Sequence, residues 1–354
     1  GVFPEKGQSV HVAHAWSFYR DTLGSPRYVA APMVGQSELP FRLLLRQSGC
    51  DLCYTPMLHA DEFASSNEEE RVRQGFSTCA SDRPLVVQFC ATNPNDFLEA
   101  ALAVQDRCDA VDLNLGCPQS KAMKGGWGGA LMNEDNWYLV SAIVRHAATS
   151  PLLRVPVTCK MRIFADNRKT VQFAKMLEEA GCSLLTVHGR QRDRTLHHAP
   201  ASWSAIRVVR EALRIPVVAN GGGDTRMGAE QCLEKTGCVA VMVATGLLSN
   251  PEMFSGLFEA ETLADPADCH VDGSEQVQEQ SLSEDITSLR CAVRQCLWYL
   301  ELCEATPPWS LRAPKDHMRA ILAPVFRLNR SSVPQTVEDN LFLAFDVIGT
   351  NAGR

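Results

Sequence analysis

An eight-stranded α/β barrel followed by a small all-helical domain is the fold that the 354-residue sequence predicts. Eight short β-like runs recur, at residues 28–32, 51–54, 85–89, 110–114, 157–161, 184–187, 217–219 and 239–243. Helical patterns lie between them at 38–47, 95–105, 135–148, 169–180, 202–213 and 225–235. Near-continuous apolar strands alternating with helices imply a parallel sheet covered on its outer face. Eight such units in roughly 240 residues fit a closed (β/α)8, or TIM, barrel better than an open doubly wound sheet.

The ends of the runs carry the second argument. In chain order they lead to Pro32 and Met33, to Gln88, to Asn114 and Cys117, to Lys160 and Arg162, to His188 and Arg190, and to Asn220 and Gly221. A closed parallel barrel gathers all its C-terminal strand ends on one face, where active sites form, whereas an open sheet gathers only those at its switch point. After Glu261 the chain turns acidic and rich in small polar residues, which reads as a linker. Helical periodicity resumes at Ile286, Leu289, Val293, Leu297 and Leu300, and two more helices are expected at 315–327 and 335–348. The expected organisation is an extension at 1–26, a barrel at 27–262, a linker at 263–283 and a helical domain at 284–350.

Composition narrows the class. A hydrophobic content of 45% with 21% charged residues is that of an ordinary globular chain. No apolar run approaches the ~20 residues of a membrane span, and the first 21 residues lack the basic start and apolar stretch of a secretory signal. The 14 cysteines are scattered singly, as free thiols in a reducing compartment are. The one C-x-x-C, Cys50 to Cys53, lacks a partner pair, so no metal is expected. A net charge of −7 argues against wholesale nucleic-acid binding and confines any such partner to local basic patches. The expected setting is intracellular, cytoplasmic or nuclear or both, and the expected state a monomer.

The stretch from Val111 to Met132, VDLNLGCPQSKAMKGGWGGALM, concentrates the chemistry. An apolar strand ends in Asn114, Gly116, Cys117 and Pro118 and runs into a loop holding Gly125, Gly126, Gly128 and Gly129, which can lie against a flat ligand or close over one. By itself Cys117 reads as one buried cysteine among many. The reactive groups ending the other strands favour an active-site thiol.

Seven segments carry a family resemblance: Tyr28-Val-Ala-Ala-Pro-Met33, Cys53-Tyr-Thr-Pro-Met57, Gln88-Phe-Cys, Asn114-Leu-Gly-Cys-Pro118, Cys159-Lys-Met-Arg162, Thr186-Val-His-Gly-Arg190 and Ala219-Asn-Gly-Gly222. In this order they resemble the flavin-dependent tRNA-dihydrouridine synthases. Tyr299-Leu-Glu-Leu-Cys303 and Lys315-Asp-His-Met318 extend the resemblance into the tail. The leading segment, with Ser37-Glu-Leu-Pro-Phe-Arg42, is most like the eukaryotic type-1 subfamily, which modifies positions 16 and 17 of the D-loop.

That resemblance implies FMN as cofactor, NADPH or NADH as electron donor, tRNA as partner, and reduction of the uracil C5–C6 double bond. Hydride arriving at C6 leaves an enolate that needs a proton at C5, and a thiol with an ordinary pKa of ~8.5 can hold one at neutral pH and give it up. Cys117 is the implied acid. Lys160 is placed near the flavin N1 and C2 carbonyl, Gln88 at the pyrimidine edge, and Pro32 and Met33 against the ring system. The phosphate is expected after strands seven and eight, at Asn220, Gly221, Gly222, Thr245 and Gly246, with His188 beside it. Asn114 and Arg162 are expected to meet the uracil, and Arg190 the phosphate or the RNA. Gly129 departs from the family pattern, which has a small side chain there, as do Gly222-Gly223-Asp224 and Thr245-Gly246-Leu247.

Two basic clusters suit tRNA phosphates: Arg312, Lys315, Arg319, Arg327 and Arg330 in the tail, and Arg190, Arg192, Arg194, His197 and His198 after strand six. Two other functions compete with the leading one: a flavoprotein acting on a free pyrimidine, and a non-catalytic RNA-binding relative. The helical tail argues against the first, and Cys117, Lys160 and His188 argue against the second.

Overall fold

The computed structural model describes residues 9–192, 199–255, 275–310 and 312–328. The helix expected at 335–348, Arg194, His197, His198 and Arg330, and the linker up to residue 274 lie outside them, as does the side chain of Arg327.

Nine parallel strand segments form one sheet: β1 (Tyr28–Ala30), β2 (Leu52–Tyr54), β3 (Leu58–His59), β4 (Leu85–Cys90), β5 (Ala110–Leu115), β6 (Val157–Ile163), β7 (Leu185–Gln191), β8 (Val217–Asn220) and β9 (Ala240–Val243). Pairing runs from β4 through β9 in sequence order, then β9 to β1, β1 to β2 and β2 back to β4, which closes the barrel. The eight expected runs are therefore all strands. The two residues of β3 are an addition to them. Thr55, Pro56 and Met57 interrupt the second strand because proline has no N–H for a ladder; Leu58 and His59 then resume pairing further along β4, against Phe89 and Cys90.

Period-two alternation decides what faces the barrel axis. Along β5, Val111, Leu113 and Leu115 join the outer core beneath the helices, while Ala110, Asp112 and Asn114 point inward. Along β6 the inward set is Thr158, Lys160 and Arg162, and along β7 it includes Thr186 and His188. In register Asn114 lies opposite Lys160, Arg162 opposite His188, and His188 opposite Asn220.

The N-terminal mouth is shut by the segment expected as an extension. Ser9 caps α1 (Val10–Ser17) by accepting from the Val12 N–H, and the helix runs into a π-helical turn at Phe18–Thr22. Phe18, Tyr19 and Leu23 pack against the inward apolar residues Val29, Leu52, Val86, Ala110 and Ala240. That apolar plug leaves only the opposite mouth free to bind a polar ligand.

The outer layer consists of α2 (Leu39–Gln47), α3 (Ala60–Ser65), α4 (Glu68–Arg73), α5 (Pro94–Val104), α7 (Trp137–Ala148), α8 (Asn167–Ala180), α9 (Trp203–Ala212), α10 (Arg226–Thr236) and α11 (Thr245–Ser249), while the short α6 (Ser120–Lys124) lies in the loop after β5. Two further helices, α12 (Glu275–Ala305) and α13 (Arg312–Leu328), pack through Ala292, Cys296, Met318, Ile321 and Leu322. Helix α12 begins at Glu275, inside the expected linker: after Gly273 the run of Glu, Gln and Leu contains no breaker, so the amphipathic pattern extends backward. Barrel and tail meet over a buried cluster at the start of α2. There Glu38 accepts from the Tyr299 hydroxyl at 2.5 Å and contacts His317 Nε2 at 3.1 Å, while Phe41 stacks on the His317 ring.

Candidate active site

The open mouth is built on one chain of buried hydrogen bonds. Asp112, fully buried, accepts from Thr158 Oγ1 at 2.6 Å and from Gln88 Nε2 at 2.8 Å. Gln88 Oε1 accepts from Asn114 Nδ2 at 2.8 Å. Asn114 Oδ1 in turn accepts from the backbone N–H groups of Gly116 and Cys117, at 3.0 and 2.9 Å. Three strands, β4, β5 and β6, thus pass a fixed geometry from the barrel interior to the turn that presents Cys117.

The far side of that turn is held as firmly. Cys117 O accepts from Gly129 N at 2.9 Å, Gly116 O from Arg162 Nε at 2.8 Å, and Gly129 O from an Arg192 guanidinium nitrogen at 3.0 Å. Glycine at 129 has a steric reason. A Cβ there would stand 2.9 Å from Cys117 O, and one at Gly128 would stand 2.9 Å from Cys117 Cβ. The segment expected as a cover over the site carries α6 and then Trp127, whose ring packs edge-on to His59 at 4.9 Å. The Cys117 side chain, half-buried, lies against Cys90, Ala122 and Trp127.

Beneath the thiol, cations crowd together. Burial first, and then the neighbouring Arg162 charge, lower the pKa of Lys160 from 10.5 to about 8. Burial, followed by Arg190, lowers Arg162. His188 falls to about 2 through burial and then through Lys160, Arg162 and Arg190, so its ring is neutral. Its Nδ1 faces the Arg190 N–H at 3.3 Å, which assigns the proton to Nε2. Asp112 offsets the group only in part: burial raises its pKa to about 6, which leaves it ionised at neutral pH, but among the described residues no salt bridge joins it to Lys160. Lys160, Arg162 and Arg190 outnumber this one carboxylate, and a desolvated cluster left net positive is a site for an anionic ligand.

The remaining predicted residues form the rim. Pro32 and Met33 follow the end of β1, and Met33 is buried. Asn220 is buried at the end of β8 and donates from Nδ2 to Met242 O at 2.8 Å. Gly221 and Gly222 follow at φ 101° and 82°, a turn open to glycine alone without strain. A Cβ on Gly221 would stand 3.2 Å from His188 Nε2. Thr245 is exposed, whereas Gly246 is buried against the Asp224 backbone. Asn114, expected to meet the substrate, has its carbonyl committed to the Cys117 turn and one amide N–H left; Gln88 likewise keeps one N–H and one lone pair. Arg312, Lys315 and Arg319 do not join this cluster. They stand on α13, beside the mouth, with the Arg312 side chain 87% exposed.

Sequence reasoning missed the Arg192 tether, the Thr158–Asp112 anchor and the Glu38–His317 joint. The anchor had a signal: inward polar residues two apart in β5, β6 and β7 imply a polar interior. The tether and the joint, between residues 63 and 279 apart in sequence, had none.

The dihydrouridine synthase (Dus) family model matches residues 29–322. The chain belongs to that family. It is 49% identical over 242 residues to a mouse protein (Mus musculus) named tRNA-dihydrouridine(16/17) synthase NAD(P)(+)-like, covering 68% of this chain and 50% of that one. It is 42% identical over 244 residues to the tRNA-dihydrouridine(16/17) synthase of Schizosaccharomyces pombe, covering 68% and 60%. The chain thus spans about half to three-fifths of the length of these Dus relatives. Among solved structures, 2-naphthoyl-CoA reductase shares the barrel fold at 10% identity and a TM-score of 0.50, covering 66% of this chain and 50% of the other.

Proposed function

We propose that this chain reduces the C5–C6 double bond of uridines in the D-loop of tRNA, at positions of the 16/17 type, as an FMN-dependent enzyme driven by NADPH or NADH. The observation that carries the reading is the position of Cys117, held by Asn114 and Gly129 on one turn above Lys160, Arg162 and His188, at the open mouth of a Dus-family barrel. The names of the relatives support the substrate and the nicotinamide donor.

The residues present fit a flavin mononucleotide. The net positive charge of the cluster suits its anionic parts, the spare N–H of Gln88 suits its pyrimidine edge, and the left-handed turn at Gly221 and Gly222 brings backbone N–H groups near His188 without a side chain between. When bound, the flavin supplies the hydride that goes to C6. Lys160 and Arg162 hold positive charge beside the reacting ring, so electron density arriving at the uracil is stabilised without reorganisation of water. Cys117 Sγ holds the proton for C5. Arg162, fixed to Gly116 O and to Gln191 O at 3.1 Å, keeps the thiol turn in place while that proton moves. Residues 27–262 form the catalytic unit in this reading, and 284–350 the tRNA-binding unit, in a monomer working where tRNA is found, in cytoplasm or nucleus.

The test is to incubate the purified, flavin-bound protein with NADPH and tRNA lacking the modification, then map dihydrouridine by position. Product at 16 or 17 is expected. Turnover of free uracil derivatives with none on any tRNA would overturn the reading in favour of a small-molecule reductase.

A further inference from the structure

A second cavity opens beside the mouth, between barrel and tail, with a volume of about 470 Å³. On the barrel side it is lined by the loop after Met33 (Val34, Gly35 and Gln36) and by Pro56 and Met57, where the second strand is broken. Trp309 and Arg312 face it from the tail. Met57 also touches the Cys90, Ala122 and Trp127 cluster on which Cys117 rests, so this cleft and the thiol pocket share a wall.

Trp309 is 52% exposed, and among the described residues its ring makes no ring contact and its indole N–H no hydrogen bond. It is not loosely placed, however: a Cβ on Gly75 would come 3.3 Å from its Nε1, so one edge is seated on the turn after α4 while the rest of the ring faces solvent. Val34, across the cleft, is 60% exposed. Arg312, whose side chain reaches Asp316 at 3.3 Å, leads a helix that also carries Lys315 and Arg319. Asp316 lines the cleft too, where it is shared between Arg312 and Arg319, at 3.3 and 3.9 Å.

An open aromatic edge-seated in a cavity large enough for one nucleotide, with a guanidinium at its rim, has the chemistry of an unstacked base in single-stranded RNA. We propose that this cleft takes the unpaired nucleotide next to the reacting uridine, with its base on Trp309 between Val34 and Met57 and its phosphate toward Arg312. The proposal rests on the tRNA reading above and goes beyond it by naming a second base pocket. A uridine drawn out of its loop leaves its neighbour without a stacking partner; the cleft supplies one on the same side of the protein, across Met57. Trp309 so acts as a positioning residue for the uridine that enters the pocket.

The test compares wild type with Trp309→Ala and Trp309→Phe, all flavin-bound, on unmodified tRNA and on the same tRNA with the base removed at the position flanking the target. Flavin content and circular dichroism establish that the variants fold. Trp309→Ala should bind unmodified tRNA about tenfold more weakly, the effect of losing one base stack, while Trp309→Phe stays within about threefold of wild type. On the abasic tRNA, wild type and Trp309→Ala should bind alike. Equal affinity of wild type and Trp309→Ala for unmodified tRNA removes the cleft assignment and leaves the tRNA reading standing. A loss seen in flavin reduction by NADPH, and not in tRNA binding, assigns the cleft to the nicotinamide nucleotide and overturns the proposal. Absence of dihydrouridine from the wild-type reaction removes reading and cleft together.

Discussion

Lys160→Met tests the electrostatics of the site most directly, because the flavin-free and flavin-bound proteins should respond in opposite directions. Burial and the Arg162 charge lower the lysine from 10.5 to about 8. At 1.36 kcal/mol per tenfold change in the proton equilibrium, holding this ammonium in the flavin-free barrel costs up to roughly 3 kcal/mol relative to the unfolded chain. The sign follows from linkage. The folded value lies below the unfolded one, so the folded state binds fewer protons between pH 8 and 10.5. The penalty is present in full below about pH 8 and fades as pH rises to 10.5. A methionine of similar length removes the charge while keeping most of the stem packing, although Asp112 then loses a nearby cation that lowers its own pKa. The flavin-free variant should therefore be more stable than flavin-free wild type at pH 7, by at most roughly 3 kcal/mol, with the difference vanishing near pH 10.5.

Urea unfolding of both flavin-free proteins across that pH range reads the effect, and flavin retention after dilution reads the opposite one, since Lys160→Met should release flavin faster. A linked measurement is proton uptake on flavin binding at pH 9, by calorimetry in buffers of different ionisation enthalpy. An anion beside Lys160 restores its proton, so uptake should approach about one per flavin for wild type and fall toward zero for the variant. A variant that is no more stable than wild type at pH 7, or a gain that does not shrink at high pH, would refute the claim that this cation is held at a cost until an anion arrives.

Cys117→Ala should keep its flavin and still oxidise NADPH, yet form dihydrouridine at least a hundredfold more slowly, as expected on removing a positioned general acid; single-turnover product formation checks this. Neutralising Arg312, Lys315 and Arg319 together should weaken tRNA binding and reduce the slope of log affinity against log salt by up to about three, with flavin content unchanged; filter binding from 50 to 200 mM salt reads both. Gly129→Ala should slow product formation while sparing flavin binding, because its Cβ would meet Cys117 O at 2.9 Å and the thiol turn must shift. Asp82→Ala should destabilise the fold by about 3–5 kcal/mol in urea unfolding, since it leaves the fully buried Arg42, paired at 2.6 Å, without its carboxylate.

What the sequence discloses and what it withholds divide along a physical line. Strands and helices are legible because each carries its own period: the apolar runs at 110–114 and 157–161 sit between amphipathic helices, and a right-handed parallel connection leaves few ways to join them. The cationic centre is legible for a related reason. In a closed barrel the C-terminal ends of all strands meet, so Lys160, Arg162 and His188 are neighbours once closure is granted, whatever their separation in sequence. Contacts made by the long loops are not fixed by any period. Arg192 reads as one more phosphate-facing cation after the sixth run, and the structure instead ties it to Gly129 O, on the loop that carries the thiol. That contact changes the meaning of two residues together. Gly129 is a position where the backbone must pass 2.9 Å from the Cys117 carbonyl, and Arg192 is the brace that holds it there. Cys117 is thus positioned by β5 from below, through Asn114, and by the β7 loop from above. Replacing either support should misplace Cys117 without touching its chemistry, so Arg192→Met should lower product formation while NADPH oxidation by the bound flavin continues. Alkylation of Cys117 by iodoacetamide distinguishes this from simple loss of RNA affinity: without any tRNA present, its rate changes only if the turn itself has moved.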